Sequence, residues 1–299
     1  MKSDSPAYLD KNTVSEAFGA AASQYDKAAL LQKDVGERLL ERLDFLTDFQ
    51  PKTCVDIGTG SGRIAAALTK KYKQAHVYAV DQALPMLGEA RKQIPWHKTL
   101  LQAKHRHFIC ADAAYLPFQT SSVDLVISNL MLQWCNDLPR VFSEFARILR
   151  PDGVLLFSTF GPDTLTELRQ SWAQVDSTHS HVNQFVDMHD IGDALLYAQL
   201  KNPVMDIDWL TYHYNDTFAL MHWLKEIGAH NVTAGRAKGL TGKNKFKAMM
   251  AAYETLRSES GLPATFEIVY GHAIGQQLKQ NNDVDGDIGI PVSHIGGRK

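Results

Sequence analysis

The chain has 299 residues, 44% of them hydrophobic, enough to bury a large core as one big domain or as one domain plus an embellishment. Lysine and arginine number 31 against 33 aspartates and glutamates, so no whole-molecule attraction to nucleic acid or to a membrane surface is implied, and neither is expected as a partner. No apolar run approaches the roughly 20 residues a membrane helix needs, and the polar stretch Met1 to Lys11 does not read as a signal peptide.

Residues 13–46 read helical. Val14, Phe18, Ala21, Ala22 and Tyr25 follow a helical period, and Leu31, Val35, Leu39, Leu40 and Leu43 repeat it. Gln50-Pro51 interrupts the pattern, and from Thr53 strands and helices alternate. Strands are predicted over 53–57, 76–81, 106–110, 123–129 and 153–160. Helices are predicted over 62–73, 84–93 and 138–149, the last stopped by Pro151-Asp152-Gly153. This alternation predicts a parallel sheet with helices on both faces and right-handed crossovers.

Beyond residue 160 the pattern is less regular. A helix over 164–175 precedes a polar stretch, Asp176 to Asn183, too poor in apolar residues to be core. A helix over 188–200, a strand over 204–212 and helices over 216–228 and 243–258 follow. A strand from Ala264 to Tyr270 completes a seven-stranded sheet. The tail from Asn281 is rich in Gly and Asp without periodicity and is expected to be disordered. Three cysteines, Cys54, Cys110 and Cys135, have no paired spacing; Cys54 and Cys110 read as small buried strand residues, which points to a reducing, cytoplasmic setting.

The most informative stretch is Val55-Asp56-Ile57-Gly58-Thr59-Gly60-Ser61-Gly62. A short β-branched strand ends in an acid and three alternate glycines, and a helix begins at once. Gly58, Gly60 and Gly62 let the backbone turn tightly and approach a ligand. Asp81 closes the next strand, where such folds present a carboxylate to a ribose. A dinucleotide fingerprint needs its third glycine one residue later, where Arg63 stands. The stretch resembles the first signature of class I methyltransferases, which implies a Rossmann-like seven-stranded α/β sheet and S-adenosylmethionine as cofactor.

Candidate cofactor residues follow in chain order. Asp56 is expected to hold the cofactor's amino group, directly or through water; the bland alternative is a tight turn without a ligand. Asp81 is the ribose candidate, with Gln82 beside it, although Asp81 also suits a helix N-cap. Met86 and Leu87 would wall the adenine, or simply pack. Asp112 would accept the adenine amino group and Ala113 offer a backbone amide, unless Asp112 is a plain cap. Ser128 and Asn129 end a strand at the carboxyl edge of the sheet, where open α/β folds bind ligands. Gln133 and Trp134 lie where they would roof the methyl group, with ordinary packing equally open for Trp134. His105/His107 and His179/His181 have H-x-H spacing with no companion Glu or Cys pattern, so no metal site is expected. Between Glu226 and Glu254 no acid occurs, while Arg236, Lys238, Lys243, Lys245 and Lys247 cluster there. That cluster is either a solvated basic face or a docking surface for an acidic macromolecule.

Segments outside these motifs carry a narrower resemblance, from about residue 13 to 275. They are Ala17 to Asp26, Ser128 to Cys135, Phe160 to Arg169, His181-Val182-Asn183-Gln184-Phe185, Leu224 to Ala229, Gly239-Leu240-Thr241-Gly242-Lys243 and Tyr270 to Ala273. Together they are similar to the malonyl-acyl-carrier-protein O-methyltransferases of biotin synthesis; the tail beyond Gly275 does not match. The resemblance implies methylation of the free carboxyl of a malonyl thioester on acyl carrier protein, or on coenzyme A. It also implies a helical lid over 1–46, a catalytic domain over 47–275 with a cap insertion around 160–260, a tail over 276–299, and a monomer. In that setting Arg169 is the candidate to grip the carboxylate, and Tyr25 and Gln133 join it as catalytic candidates. Phe18, Trp134 and Phe160 would meet the substrate, and Arg236, Lys238, Lys243 and Lys245 the acidic carrier. Two rivals share the cofactor motifs. One is a methyltransferase for another small acid or a quinone precursor. The other is a respiratory complex I assembly factor that resembles this family and is proposed to hydroxylate an arginine.

Overall fold

A computed structural model describes residues 8–93, 105–176, 178–228 and 242–276. Two helices, α1 (Lys11–Ala28) and α2 (Leu30–Glu41), precede the sheet. Asp10 caps α1 by accepting from the amides of Asn12 and Thr13, which starts the helix two residues before the expected 13. Then β1 (Thr53–Ile57), α3 (Arg63–Lys71), β2 (His76–Asp81), α4 (Leu84–Lys92), β3 (Arg106–Cys110) and β4 (Val123–Asn129) alternate. They are followed by α5 (Leu138–Ile148), β5 (Leu149–Phe160), α6 (Thr166–Ala173), α7 (Met188–Tyr197), β6 (Lys201–Tyr214), α8 (Thr217–Glu226), α9 (Lys243–Glu254) and β7 (Leu262–Ile274).

The seven strands form one sheet in the order β3-β2-β1-β4-β5-β7-β6. Strands β1 to β5 pair in parallel, and β7 runs antiparallel between β5 and β6. Side chains alternate across each inner strand, so neighbouring residues enter opposite cores. Cys54, Leu125, Ile127 and Leu156 face one core with Leu31, Val35 and Leu39 of α2 and Leu68 of α3. Val55, Val126, Leu155 and Phe157 face the other, with Phe142 and Phe145 of α5 and Ile191 and Leu195 of α7. Covering on both faces is why the inner strands read as nearly continuous apolar runs.

Three expectations differ from the structure. The helix α5 ends at Ile148 and β5 begins at Leu149, so Pro151-Asp152-Gly153 is an irregularity inside the strand, with Asp152 at φ +63°, and does not follow a helix end at 149. The polar stretch after α6 is partly core: Asp176, Val182 and Asn183 are each under a tenth exposed. Burial of Asp176 is compensated by donors from Thr178, His179, His181 and Lys245. Cys54 is buried, but Cys110, at the end of the outermost strand β3, is exposed. The strand expected over 204–212 is present as β6, the edge strand of the sheet opposite β3. The tail from Asn281 lies outside the described residues.

Candidate active site

The carboxyl ends of β1, β2 and β4 converge on an open cleft, the place where open α/β sheets bind their ligands. The turn after β1 forms its floor. Gly58, Gly60 and Gly62 have φ of +74°, +52° and +83°, the left-handed region that residues with a Cβ rarely adopt. The turn is tied to β2, since the amides of Gly58 and Thr59 both donate to the Val80 carbonyl, at 2.8 and 3.0 Å.

Asp81 stands at the centre of this geometry. Its Oδ2 accepts from the Gly60 amide at 2.9 Å and its Oδ1 from the Ala83 amide at 2.8 Å. Burial pushes its carboxyl above the ordinary 3.8, against the opposing pull of these backbone donors. Each oxygen keeps a further lone pair, and the residue lines the cleft. Gln82, Met86 and Ala113 line it as well; Met86 and Leu87 are buried. At the far end Asp112 accepts from the Ala114 amide at 3.0 Å and from Nζ of Lys11 at 2.6 Å.

Asp56 is placed differently. It is 1% exposed and does not line the cleft. Its Oδ2 accepts from the Thr59 hydroxyl at 2.6 Å and the Ala65 amide at 3.0 Å, bracing the turn from behind, while Oδ1 has no partner. Burial pushes its carboxyl up to about 7. Ser128 is likewise internal, with its hydroxyl donating to the Ile57 carbonyl at 2.9 Å. Asn129 does line the cleft; it donates to the Gln32 carbonyl at 2.8 Å and accepts from the Ser158 hydroxyl at 2.8 Å.

Helix α1 borders the cleft. Phe18 and Tyr25 line the cleft, and the Phe18 ring meets Trp134 edge-on at 5.1 Å. Burial raises the Tyr25 hydroxyl well above its ordinary value and the Cys135 thiol to about 12. Gln133 turns away from the cleft, donating to the Leu130 carbonyl at 2.6 Å and accepting from Thr159 at 3.2 Å.

Arg169 and Phe160 lie elsewhere. The Arg169 guanidinium donates to the carbonyls of Pro162 and Thr164, at 2.6 and 2.8 Å, and lines no described cleft. Phe160 walls a smaller chamber beyond Trp134. Lys243 is exposed at the start of α9, and Lys245 reaches Asp176 at 3.2 Å. Arg236 and Lys238 lie outside the described residues. Sequence reasoning missed Lys11, whose partner Asp112 is 101 residues away, and Asp26, which accepts from Ser61 and Arg63 of the glycine turn and helix α3. Neither has a spacing signal, because the partners meet only in the fold.

The cleft therefore fits a nucleoside with a charged aliphatic extension: an acid for ribose hydroxyls, apolar walls for a base, and an aromatic lid over the far end. Comparisons with known proteins agree. Residues 55–157 match the family described as a methyltransferase domain. A malonyl-[acyl-carrier protein] O-methyltransferase of Methylovorus sp. (strain MP688) is 47% identical over 274 residues, 91% of this chain and 92% of that protein. One from Gallionella capsiferriformans (strain ES-2) is 45% identical over 275 residues, 92% and 94% of the two chains. Among solved structures, the YcgJ protein from Bacillus subtilis superposes with a TM-score of 0.56 at 17% identity, over 80% of this chain and 98% of that one. A phosphoethanolamine N-methyltransferase 2 of Haemonchus contortus, in complex with S-adenosyl-L-methionine, gives 0.51 at 17% identity over 81% and 53%. These two likenesses speak to the fold.

Proposed function

The chain belongs to the malonyl-[acyl-carrier protein] O-methyltransferase family, and from that membership we propose that it methylates the free carboxylate of a malonyl thioester on acyl carrier protein. It is an S-adenosylmethionine-dependent methyltransferase, and the reaction is an early step of biotin synthesis. The identity of nearly half the residues along almost the whole chain carries this reading. It favours the carboxyl acceptor over a quinone precursor or a protein hydroxylation.

When bound, the cofactor supplies an electrophilic sulfonium methyl. Asp81 holds the ribose through the lone pairs its backbone donors leave free, and Asp112, Ala113 and Met86 surround the base. Asp56 acts by fixing the glycine turn. Phe18, Tyr25 and Trp134 form an aromatic wall that excludes water and suits a neighbouring cation. The ionisable groups of the described cleft are committed: Asp81 to two amides, Asp112 to Lys11, and Tyr25 and Cys135 to their neutral forms. No general base is left, and a carboxylate acceptor needs none, because its pKa of roughly 4 leaves it ionised at neutral pH. Alignment of the acceptor oxygen with the methyl then supplies most of the rate enhancement.

Arg169 and Gln133 act in this reading by positioning. Arg169 secures the loop 161–165, and Gln133 secures the turn that presents Trp134. The acidic carrier docks on the amino end of α9, where Lys243, Lys245 and Lys247 are exposed and no acid occurs in the first turn. The near balance of charge gives no whole-molecule attraction to nucleic acid or membrane; no helix among the described residues is long and apolar enough to cross a membrane.

The test is mass spectrometry of malonyl-acyl carrier protein incubated with the purified enzyme and S-adenosylmethionine. A gain of one methylene, removed by an esterase, is the expected result. No gain from an enzyme that demonstrably binds the cofactor overturns the acceptor.

A further inference from the structure

Lys11 stands at the end of the cofactor cleft where the chain leaving β3 delivers Asp112. Its Nζ lies 2.6 Å from Asp112 Oδ2, across 101 residues of chain, and both residues line the cleft. Asp112 Oδ1 accepts from the Ala114 amide at 3.0 Å. Each carboxylate oxygen thus has a donor of its own and keeps a further lone pair. Donors on both oxygens fix the tilt of the carboxylate plane, a torsion that is otherwise broad in aspartate.

The backbone places the ammonium. Asp10 caps α1 through the amides of Asn12 and Thr13, so Lys11 begins a fixed turn. Just before it, the buried Leu9 exchanges two hydrogen bonds with Asn136. Its amide donates to Oδ1 and its carbonyl accepts from Nδ2, each at 2.8 Å. That exchange ties residues 9–11 to the segment between β4 and α5. An incidental surface lysine needs no such fastening. Burial alone would lower the Lys11 ammonium, and the Asp112 carboxylate more than reverses this, raising it above its ordinary 10.5.

The surroundings of Asp112 indicate what its carboxylate meets. Met86, Ala111 and Ala113 line the cleft with it and give a flat base apolar walls. An ionised carboxylate only accepts, so it favours an amino group at the base edge and disfavours a ring carbonyl.

We propose that Lys11 is a positioning residue for base recognition: it fixes Asp112 so that the carboxylate accepts from the exocyclic amino group of the cofactor's adenine, and the site thereby selects adenine over its deaminated counterpart. The inference rests on the S-adenosylmethionine cofactor given above. In the deaminated base a carbonyl oxygen replaces the amino group, and the fixed carboxylate faces an acceptor instead of a donor. Both side chains of the ion pair are about a third exposed, so water relieves part of that mismatch. The selectivity is then about tenfold, well short of what a sealed site achieves.

The test is calorimetric titration, without any acceptor, of S-adenosylhomocysteine and its deaminated analogue S-inosylhomocysteine into wild type, Lys11→Met and Lys11→Arg. Wild type is expected to bind the adenine compound about tenfold more tightly. In Lys11→Met the ratio should fall to about threefold or less, chiefly through weaker binding of the adenine compound, and Lys11→Arg should restore most of it. Equal wild-type affinities overturn the proposal. So does a Lys11→Met protein whose two affinities change by the same factor or not at all, because a merely structural lysine gives that result. A ratio as low in Lys11→Arg as in Lys11→Met overturns the role of the charge. Should Lys11→Met fail to fold, Lys11→Gln takes its place, with an intermediate ratio expected and the wild-type ratio overturning the proposal. A wild-type protein that binds neither compound overturns the cofactor reading, and this inference with it.

Discussion

Asp26 in helix α1 and Arg63 at the start of α3 form a forked ion pair, with Nε 2.6 Å from Oδ1 and Nη2 2.9 Å from Oδ2. The Ser61 hydroxyl adds a third contact to the same carboxylate at 2.9 Å. Helix α1 is thereby fastened to the glycine turn. Both side chains of the pair are about two-fifths exposed, so the fastening contributes about 1 kcal/mol or less. Asp26→Ala is expected to weaken cofactor binding by less than about fivefold, and the difference from wild type should shrink with added salt. Calorimetric titration at low and high ionic strength checks this; a difference indifferent to salt would assign the effect to something else.

Asp81 satisfies two backbone amides of the site before any ligand arrives. Asp81→Ala should therefore lose cofactor binding and also lower the stability of the ligand-free protein by about 1–3 kcal/mol. Thermal unfolding without cofactor separates the two losses. If the unliganded midpoint is unchanged, the amides have found water, and the structural half of the claim fails.

The Asp56 carboxyl titrates near 7 in the fold against an ordinary value of 3.8. The folded state thus holds a proton that the unfolded chain has released. Its contribution to stability is fully present below about pH 4 and is lost as pH rises through about 7, on the order of a few kcal/mol in all. The difference in unfolding free energy between wild type and Asp56→Asn should therefore change between about pH 5, inside the interval separating the two carboxyl values, and about pH 8, above it, with wild type faring relatively worse at the higher pH. A difference constant with pH would mean that Asp56 is ionised throughout.

Gly62 begins the turn into α3 at φ +83°, and a Cβ built on it lies 2.7 Å from the Ala90 Cβ and 2.9 Å from the Ala90 Cα. Gly62→Ala should lose about 1–2 kcal/mol from the backbone conformation alone, and more from the collision, because a Cα cannot swing aside. A denaturant midpoint close to that of wild type would show that the turn has another conformation available.

Lys243 is exposed at the amino end of α9 and is placed by the proposed docking surface against the carrier. Lys243→Glu should raise the KM for malonyl-acyl carrier protein several-fold and leave malonyl-coenzyme A less affected. Equal losses on both substrates in steady-state kinetics would sink the docking surface.

The inner strands were legible because both of their faces are buried. Val55, Val77, Val126 and Leu155 stand in apolar runs that nothing but a covered strand would tolerate. The edge strand β6 was shorter in the sequence reading, 204–212 against 201–214, and its Asp206 and Asp208 find their partners, Arg42 just past α2 and Arg38 of α2, only in the fold. In the site, the glycine turn, Asp81 and Asp112 stood out by their spacing from the strands. The Arg169 guanidinium did not: from sequence its fork looked available, and the structure engages it with carbonyls five and seven residues upstream. The burial of Asn183 was hidden for a related reason, since its polar neighbourhood becomes core only when Asp176 gathers its donors.

Every described pairing of β6 is with β7, whose register runs from Lys201 opposite Ile274 to Tyr214 opposite Leu262. On the ribosome, β6 emerges well before its partner exists. Until the last strand clears the exit tunnel, β6 has no ladder to join and β5 has an open edge. The nascent sheet must therefore wait for residues 262–274 to emerge before it closes, and a chain released before Leu262 would leave both edges bare for chaperones or for one another.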